Sequence, residues 1–309
     1  MPAALGRRRL LLGGGAAAGL WALAACDDPV TTADAARTAA ASSPVATASV
    51  PRSATPTPTK SLSAADLRNP KEVAAPRLSA RIEEYLDGRS GDLGLELVDL
   101  DRGEVFRYDA DESECYSTIK VLVLTTVLRQ AQEAGADLTK RQRQLARRMI
   151  TRSDNAATEA LLADVGRDEL RRVARLVGMD HTTIDDGWFG FWPTVPGDLN
   201  AMVGALVLDD AVLDGSRRAT ARFLMADVVP QQRWGVFAAE SDDVHVAAKN
   251  GWGPLAGGYR LNSTGWVSGD GREYLLSILS KSPEGFRYGK RTISHVAKIC
   301  HDALADRLA

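Results

Sequence analysis

The spacing of the apolar residues changes period twice between Arg77 and Ala309, and this restricts the fold more than any other feature. Leu78, Ile82, Tyr85 and Leu86 recur at helical spacing until Gly88 interrupts them. Leu93–Leu100 and Val105–Tyr108 then read as two strands joined at the Asp101-Arg102-Gly103 turn, a hairpin. Helical spacing returns with an apolar helix that Ser117 opens, Val121–Ala134, ended by Gly135. Further helices are expected over Arg141–Thr151, Ala156–Val165, Glu169–Val177, Pro196–Leu208 and Arg217–Val228; Pro196 suits a first helical turn. Strands resume at Val244–Ala248, Tyr259–Val267 and Glu273–Ser280, and an amphipathic helix follows from about Arg291 to Leu308. Strands at both ends with helices between predict an α+β fold. One antiparallel sheet is built from both termini and flanked by helices, with an all-helical insert.

Upstream of Arg77 the pattern is different. Arg7, Arg8 and Arg9 precede the uncharged run Leu10–Ala25, which is shorter than the roughly 20 residues of a membrane-spanning helix. This is the layout of a secretory signal, residues 1–26. Its end, Leu23-Ala24-Ala25-Cys26, resembles a bacterial lipobox, in which Cys26 would be lipidated; Arg8-Arg9-Leu10-Leu11-Leu12 resembles a twin-arginine export signal. A plain cleaved signal is the alternative. Either way the mature protein is expected outside the cytoplasm, and with a lipidated Cys26 it would be anchored to the cell membrane. Residues 27–76 are rich in Ala, Thr, Ser and Pro and are expected to form a disordered tether. One compact domain is therefore expected over 77–309.

A net charge of -2 argues against a phosphate-gripping nucleic-acid binder. Three Cys in 309 residues exclude a disulfide scaffold and a clustered-Cys zinc finger. The four His show no HxxxH spacing, so no metal site is expected, nor any cofactor. A monomer is expected.

Three short motifs could carry chemistry. In Ser117-Thr118-Ile119-Lys120 a spacing of three puts Ser117 and Lys120 on one helix face. Unpaired N–H groups at the helix start favour an alkoxide-like oxygen, and Lys120 could take the Ser117 proton. The bland alternative is an N-cap Ser and a solvent-facing Lys, but the helix beyond is almost wholly apolar. Ser153-Asp154-Asn155 reads either as a helix cap or as a proton relay (Ser153) beside an amide-binding group (Asn155). Lys249-Asn250-Gly251, just after a strand, reads either as a hairpin turn or as an anion-holding Lys beside Gly residues that let a substrate approach.

The order of the three, SxxK, SDN and KxG, resembles the serine β-lactamase and penicillin-binding-protein superfamily, closest to class A β-lactamases. The likeness extends over about Arg77 to Ala309 and includes Thr194-Val195-Pro196-Gly197-Asp198-Leu199. It implies a β-lactamase/transpeptidase-like fold with Ser117 as acylated nucleophile, Lys120 as base and Ser153 as proton relay. Asn155 would bind the substrate amide and Lys249 its carboxylate, with Asn250 and Gly251 beside it in contact with the substrate. The N–H groups of Ser117 and Trp252 would form an oxyanion hole. The substrate implied is a β-lactam or a peptidoglycan-peptide-like amide.

The sequence also departs from that pattern. No Glu occurs between Glu169 and Glu240, whereas class A enzymes carry there the Glu that activates the deacylating water. Asp185 and Asp186 are the nearest substitutes, although Asp-Gly is also a common turn; Glu159 is a further alternative. The stretch from Ser117 to Ser153 is shorter than in class A enzymes. Asn250 replaces the usual Thr or Ser, and Arg260 on the next strand could supply a second cation or be a surface residue. Trp188, Phe189, Phe191 and Trp192 form an aromatic run, read as core or as a lid over the substrate. Cys115 and Cys300 are expected as separate buried thiols, with a disulfide between them as the alternative. Three functions stay open: a serine acyl-hydrolase, a penicillin-binding or D-Ala-D-Ala peptidase-like protein that acylates but releases poorly, and a non-catalytic wall-binding lipoprotein.

Overall fold

The structure, a computed structural model, describes residues 70–305. The expected signal segment, Cys26 and nearly all of the expected tether lie outside the described residues. The last part of that tether belongs to the fold. Lys71–Glu72 (β1) pairs in parallel with Glu104–Tyr108 (β3), and Ala75 is buried just ahead of helix α1, Pro76–Leu86. So short a polar strand leaves no periodic signal in the sequence; backbone pairing holds it, with ion pairs from Lys71 to Glu104 and from Glu72 to Arg107.

The sheet runs β1-β3-β2-β8-β7-β6, with β2 at Asp92–Asp99, β6 at Val244–Leu255, β7 at Gly258–Gly269 and β8 at Arg272–Ser282. Its centre is the antiparallel pair of β2 and β8, one strand from each end of the domain. The helical insert lies between β3 and β6. It begins with a 3-10 turn, Tyr116–Ile119, and comprises α2 (Lys120–Glu133), α3 (Lys140–Thr151), α4 (Asn155–Val165), α5 (Arg167–Val177), α6 (Pro196–Leu208) and α7 (Gly215–Ala226). A two-stranded ribbon pairs Ser113–Glu114 (β4) with Pro193–Thr194 (β5), and the long helix α8 covers Phe286–Ala305.

Each sheet face has its own core. Leu275, Leu279 and Ala247 face the insert, while Leu276, Ile278, Val246 and Ala248 pack with α1 and α8. This is the period-2 alternation of strands, and it fixes which β6 side chains can reach the insert. Helix α2 is the spine of the insert. Val121 to Leu128 are all at most 2% exposed, and each fully buried Val or Leu contributes about 1.5–3 kcal/mol. Thr125 and Thr126 tolerate this burial because their hydroxyls donate to the Val121 and Leu122 carbonyls.

The late strands extend further than their apolar runs. β6 continues through Lys249-Asn250-Gly251 to Leu255, so these residues sit within a strand and not at its end or in a turn. They pair with Thr264, Ser263 and Asn262, and the chain reverses instead at Ala256–Gly257. Helix α8 starts at Phe286, a turn and more before Arg291. Cys115 and Cys300 are separate, free and buried.

Candidate active site

Ser117 sits in the 3-10 turn that leads into α2, where the first N–H groups have no intrahelical partner. The chain enters this turn through Tyr116, whose φ of 47° is in the left-handed region. Such strain survives only where surroundings over-determine it. Here the Tyr116 hydroxyl donates to the Pro254 carbonyl at 2.8 Å, and Asn262 Nδ2 donates to the carbonyls of Glu114 and Cys115 at 2.7 and 3.1 Å. Burial and then the Glu114 carboxylate push the Tyr116 phenol up to about 12, so it stays a donor. Cys115 N–H bonds the Trp192 carbonyl, and Thr118 Oγ1 bonds Cys115 O at 2.6 Å.

One turn on, Lys120 is fully buried. Its Nζ donates to Ser153 O at 2.6 Å, to Asn155 Oδ1 at 2.7 Å and to Ser153 Oγ at 3.1 Å. Lys249 Nζ approaches the same hydroxyl from β6, also at 3.1 Å, and bonds Asn250 O at 2.7 Å. Two lysine amine groups thus converge on one buried hydroxyl. Ser153 has a φ of 58°, a second strained residue at this point. Asp154 caps α4, accepting from Ala157 N–H at 2.9 Å. The cap and the inward-facing groups are therefore different residues of one tripeptide, and both readings of Ser153-Asp154-Asn155 apply.

Alternation along β6 sorts the next residues. Lys249 and Gly251 share the face of Ala247, toward the insert. A Cβ on Gly251 would lie 2.7 Å from Ser117 N and 3.0 Å from Cys115 O and Thr118 N, so only glycine allows this approach. The Asn250 side chain points to the opposite face. Its Nδ2 donates to the Gln232 and Trp234 carbonyls at 2.8 and 2.9 Å, which corrects its expected place beside the substrate. β6 is the sheet edge, and Lys249 contacts the Asn250 carbonyl on it. The Trp252 indole packs on the far face with Trp234 and Phe286.

Other expected site residues have different surroundings. Arg260 is ion-paired to Glu114 at 2.7 Å, which meets the charge expected for a substrate. Asp185 Oδ1 accepts from Gly187 N–H at 2.8 Å and Trp192 Nε1 at 2.9 Å, the Asp-Gly turn reading. Asp186 is 97% exposed beside Arg167 and Arg171. Asp185 is thus engaged within its own turn, and Asp186 lies in solvent. Glu159 lines a groove of about 510 Å³ with Arg167, Asp186, Trp188 and Phe189. Phe189 is buried, its ring centre 5.5 Å from Lys120 Nζ. Trp188 and Phe191 stay exposed and meet the Tyr116 ring edge-on. The aromatic run is thus divided between core and rim. Sequence reasoning did not find Gln232, whose Nε2 donates to the Arg152 carbonyl at 3.0 Å. A side chain whose partners are backbone groups leaves no motif.

Residues 77–143 and 141–304 match the beta-lactamase enzyme family. No curated protein matches the sequence. Among solved structures, PBP-A is similar with a TM-score of 0.67 and 21% identity, over 77% of this chain and 99% of that chain. A mutant of PBP-A, in an acyl-enzyme complex with penicillin-G, gives the same values. A class A beta-lactamase from Mycobacterium abscessus gives 0.64 and 19%, over 74% of this chain and 99% of that one. A beta-lactamase from Sphaerobacter thermophilus gives 0.65 and 18%, over 75% and 98%. These likenesses show the fold, and the family match, which spans most of the sequence, shows that the chain belongs to the beta-lactamase enzyme family.

Proposed function

We propose that this protein is a serine acyl-transfer enzyme in which a β-lactam, or a related cell-wall peptide amide, acylates Ser117. The observation that carries the reading is the convergence of Lys120 and Lys249 on Ser153 Oγ, each at 3.1 Å, next to the Ser117 turn. Lys120, three residues on from Ser117, takes the Ser117 proton. The Ser117 oxygen then attacks the carbonyl carbon, and the N–H groups of Ser117 and Trp252 stabilise the oxyanion. As the C–N bond breaks, the Ser153 hydroxyl delivers a proton to the leaving nitrogen and is reprotonated from the lysine pair. Lys249 attracts the substrate carboxylate, and Asn155 orients its amide. The penicillin-G acyl-enzyme of PBP-A supports this substrate class.

A second reading concerns release. The Phe189 ring covers Lys120, and no Glu lies between Glu169 and Glu240. Both features favour an acyl-enzyme that persists, as in a penicillin-binding protein. The protein would act outside the cytoplasm, anchored through Cys26, and a Cys26→Ser variant should leave the membrane fraction.

Intact mass of the protein mixed with excess benzylpenicillin, sampled from seconds to hours, tests both readings. The expected result is an adduct absent from Ser117→Ala. A long-lived adduct supports poor release, whereas a transient adduct with hydrolysed drug accumulating supports a β-lactamase. Labelling retained in Ser117→Ala, or none in the wild type, would overturn the proposal and favour a binding protein.

A further inference from the structure

Four hydrogen bonds close a ring around Ser153. Lys249 Nζ donates to Ser153 Oγ at 3.1 Å and to Asn250 O at 2.7 Å. Asn250 Nδ2 donates to Gln232 O at 2.8 Å, and Gln232 Nε2 donates to Arg152 O at 3.0 Å. Arg152 O belongs to the peptide unit that ends at Ser153 N, so the ring returns to its start. It ties three separate segments together: the corner before α4, the 3-10 turn Pro230–Gln232, and β6.

The ring acts on the one torsion that needs support. Ser153 has a φ of 58°, a region that costs a non-glycine residue on the order of 1–3 kcal/mol. Gln232 holds the peptide plane before Ser153, through Arg152 O. Lys120 holds the plane after it, through Ser153 O at 2.6 Å. With both planes fixed, φ cannot relax, and Oγ stays between the two lysines. Val229 N–H, bonded to Thr151 O at 3.0 Å, fastens the same turn to the same corner. Four of the five members are buried, Ser153 (3% exposed), Lys249 (1%), Asn250 (2%) and Gln232 (7%), and only Arg152 is exposed. Hydrogen bonds at such depth are costly to break, because the abandoned group stays out of water.

We infer that Gln232 and Asn250 are positioning residues for the proton-transfer group: they hold Ser153 in its strained conformation between Lys120 and Lys249 without touching substrate. This rests on the proposed acylation of Ser117 and gives Asn250, on the far face of β6, a role other than substrate contact.

Gln232→Met keeps the side-chain volume and removes the donor; Asn250→Ser removes the brace by shortening it and serves if the first variant fails to fold. Acylation by benzylpenicillin is followed by intact mass as a function of drug concentration, alongside thermal melting and a crystal structure of the variant. The expected result is a limiting acylation rate lowered by up to about 100-fold, the scale of a displacement of about 1 Å. The half-saturating concentration should change little, and the Lys249 Nζ to Ser153 Oγ bond should be lost in the crystal. A folded variant that acylates at the wild-type rate, or loses only affinity, would overturn the inference. If the wild type takes no adduct, the functional proposal fails, and the variant's crystal structure still decides the inference: an unmoved Ser153 overturns it, and a relaxed Ser153 supports it.

Discussion

Replacing Gly251 by alanine should disable acylation through a displacement of well under one bond length. The added Cβ would lie 2.7 Å from Ser117 N, 3.0 Å from Thr118 N and 3.0 Å from Cys115 O, all backbone atoms that no rotamer change can move. Non-bonded heavy atoms rest at about 3.5–4.0 Å, so β6 and the Ser117 turn must separate by roughly 0.5 Å or more. Overpacking of this kind costs about 1–3 kcal/mol, and each kcal/mol lowers the melting temperature by about 2–4 °C in a domain of this size. The effect on rate should be larger. The Ser117 and Trp252 N–H groups lie on the two elements being forced apart, and an oxyanion donor works only within about 2.7–3.1 Å; losing one costs on the order of 100- to 1000-fold. Stopped-time intact mass with benzylpenicillin measures the rate, and calorimetry the stability. Gly94→Ala is the control: its Cβ would meet Asp109 O at 1.9 Å, on β2, three strands away from β6. It should lose as much stability and keep its acylation rate. Wild-type acylation in Gly251→Ala, or an equal rate loss in Gly94→Ala, would refute the reasoning.

Phe189→Ala removes a buried ring beside Lys120, and should cost about 3–5 kcal/mol and shorten the adduct's half-life by admitting water next to a polar group; an unchanged half-life in the folded variant counts against the shielding argument. Burial raises both thiols, Cys300 to about 12, so iodoacetamide at pH 8 should alkylate neither Cys115 nor Cys300 in the native protein and both in guanidinium. Rapid native labelling would contradict the packing. For Asp154, burial raises the carboxyl pKa, but the Ala157 N–H and Arg148 outweigh it and leave the value lowered. Its contribution is therefore present above the unfolded value of about 3.9 and disappears as pH falls through the folded one. Asp154→Ala should cost about 0.5–2 kcal/mol in urea melts at pH 7 and progressively less as the solution is acidified; a cost independent of pH would refute the assignment.

What the sequence made legible follows from what leaves a pattern in it. Helices such as Pro196–Leu208 and the first hairpin fall where apolar period and Gly or Pro punctuation agree. Ser117 and Lys120 are linked by helical spacing alone, and Lys249 and Ser153 stand in the order of a known motif set. Where a local preference met a tertiary demand, local reading failed. Asn250-Gly251 has the composition of a tight turn, yet Gly251 is required because Ser117 N would sit 2.7 Å from any Cβ, and the pairing with β7 carries the strand through both residues. Motif position alone puts Asn250 on the substrate side, because a motif carries no strand parity. On a strand, neighbours of Lys249 must face away from it. The parity also explains how one strand serves two structural ends. Lys249 and Gly251 reach the insert, where the Ser117 turn and Ser153 lie, while Asn250 reaches the far face and grips the loop whose Gln232 returns to Arg152. A hydroxyl at that position, shorter than asparagine by one heavy-atom shell, could not span both the Gln232 and Trp234 carbonyls. The replacement of the family's usual Thr or Ser is thus tied to the strained corner that holds Ser153.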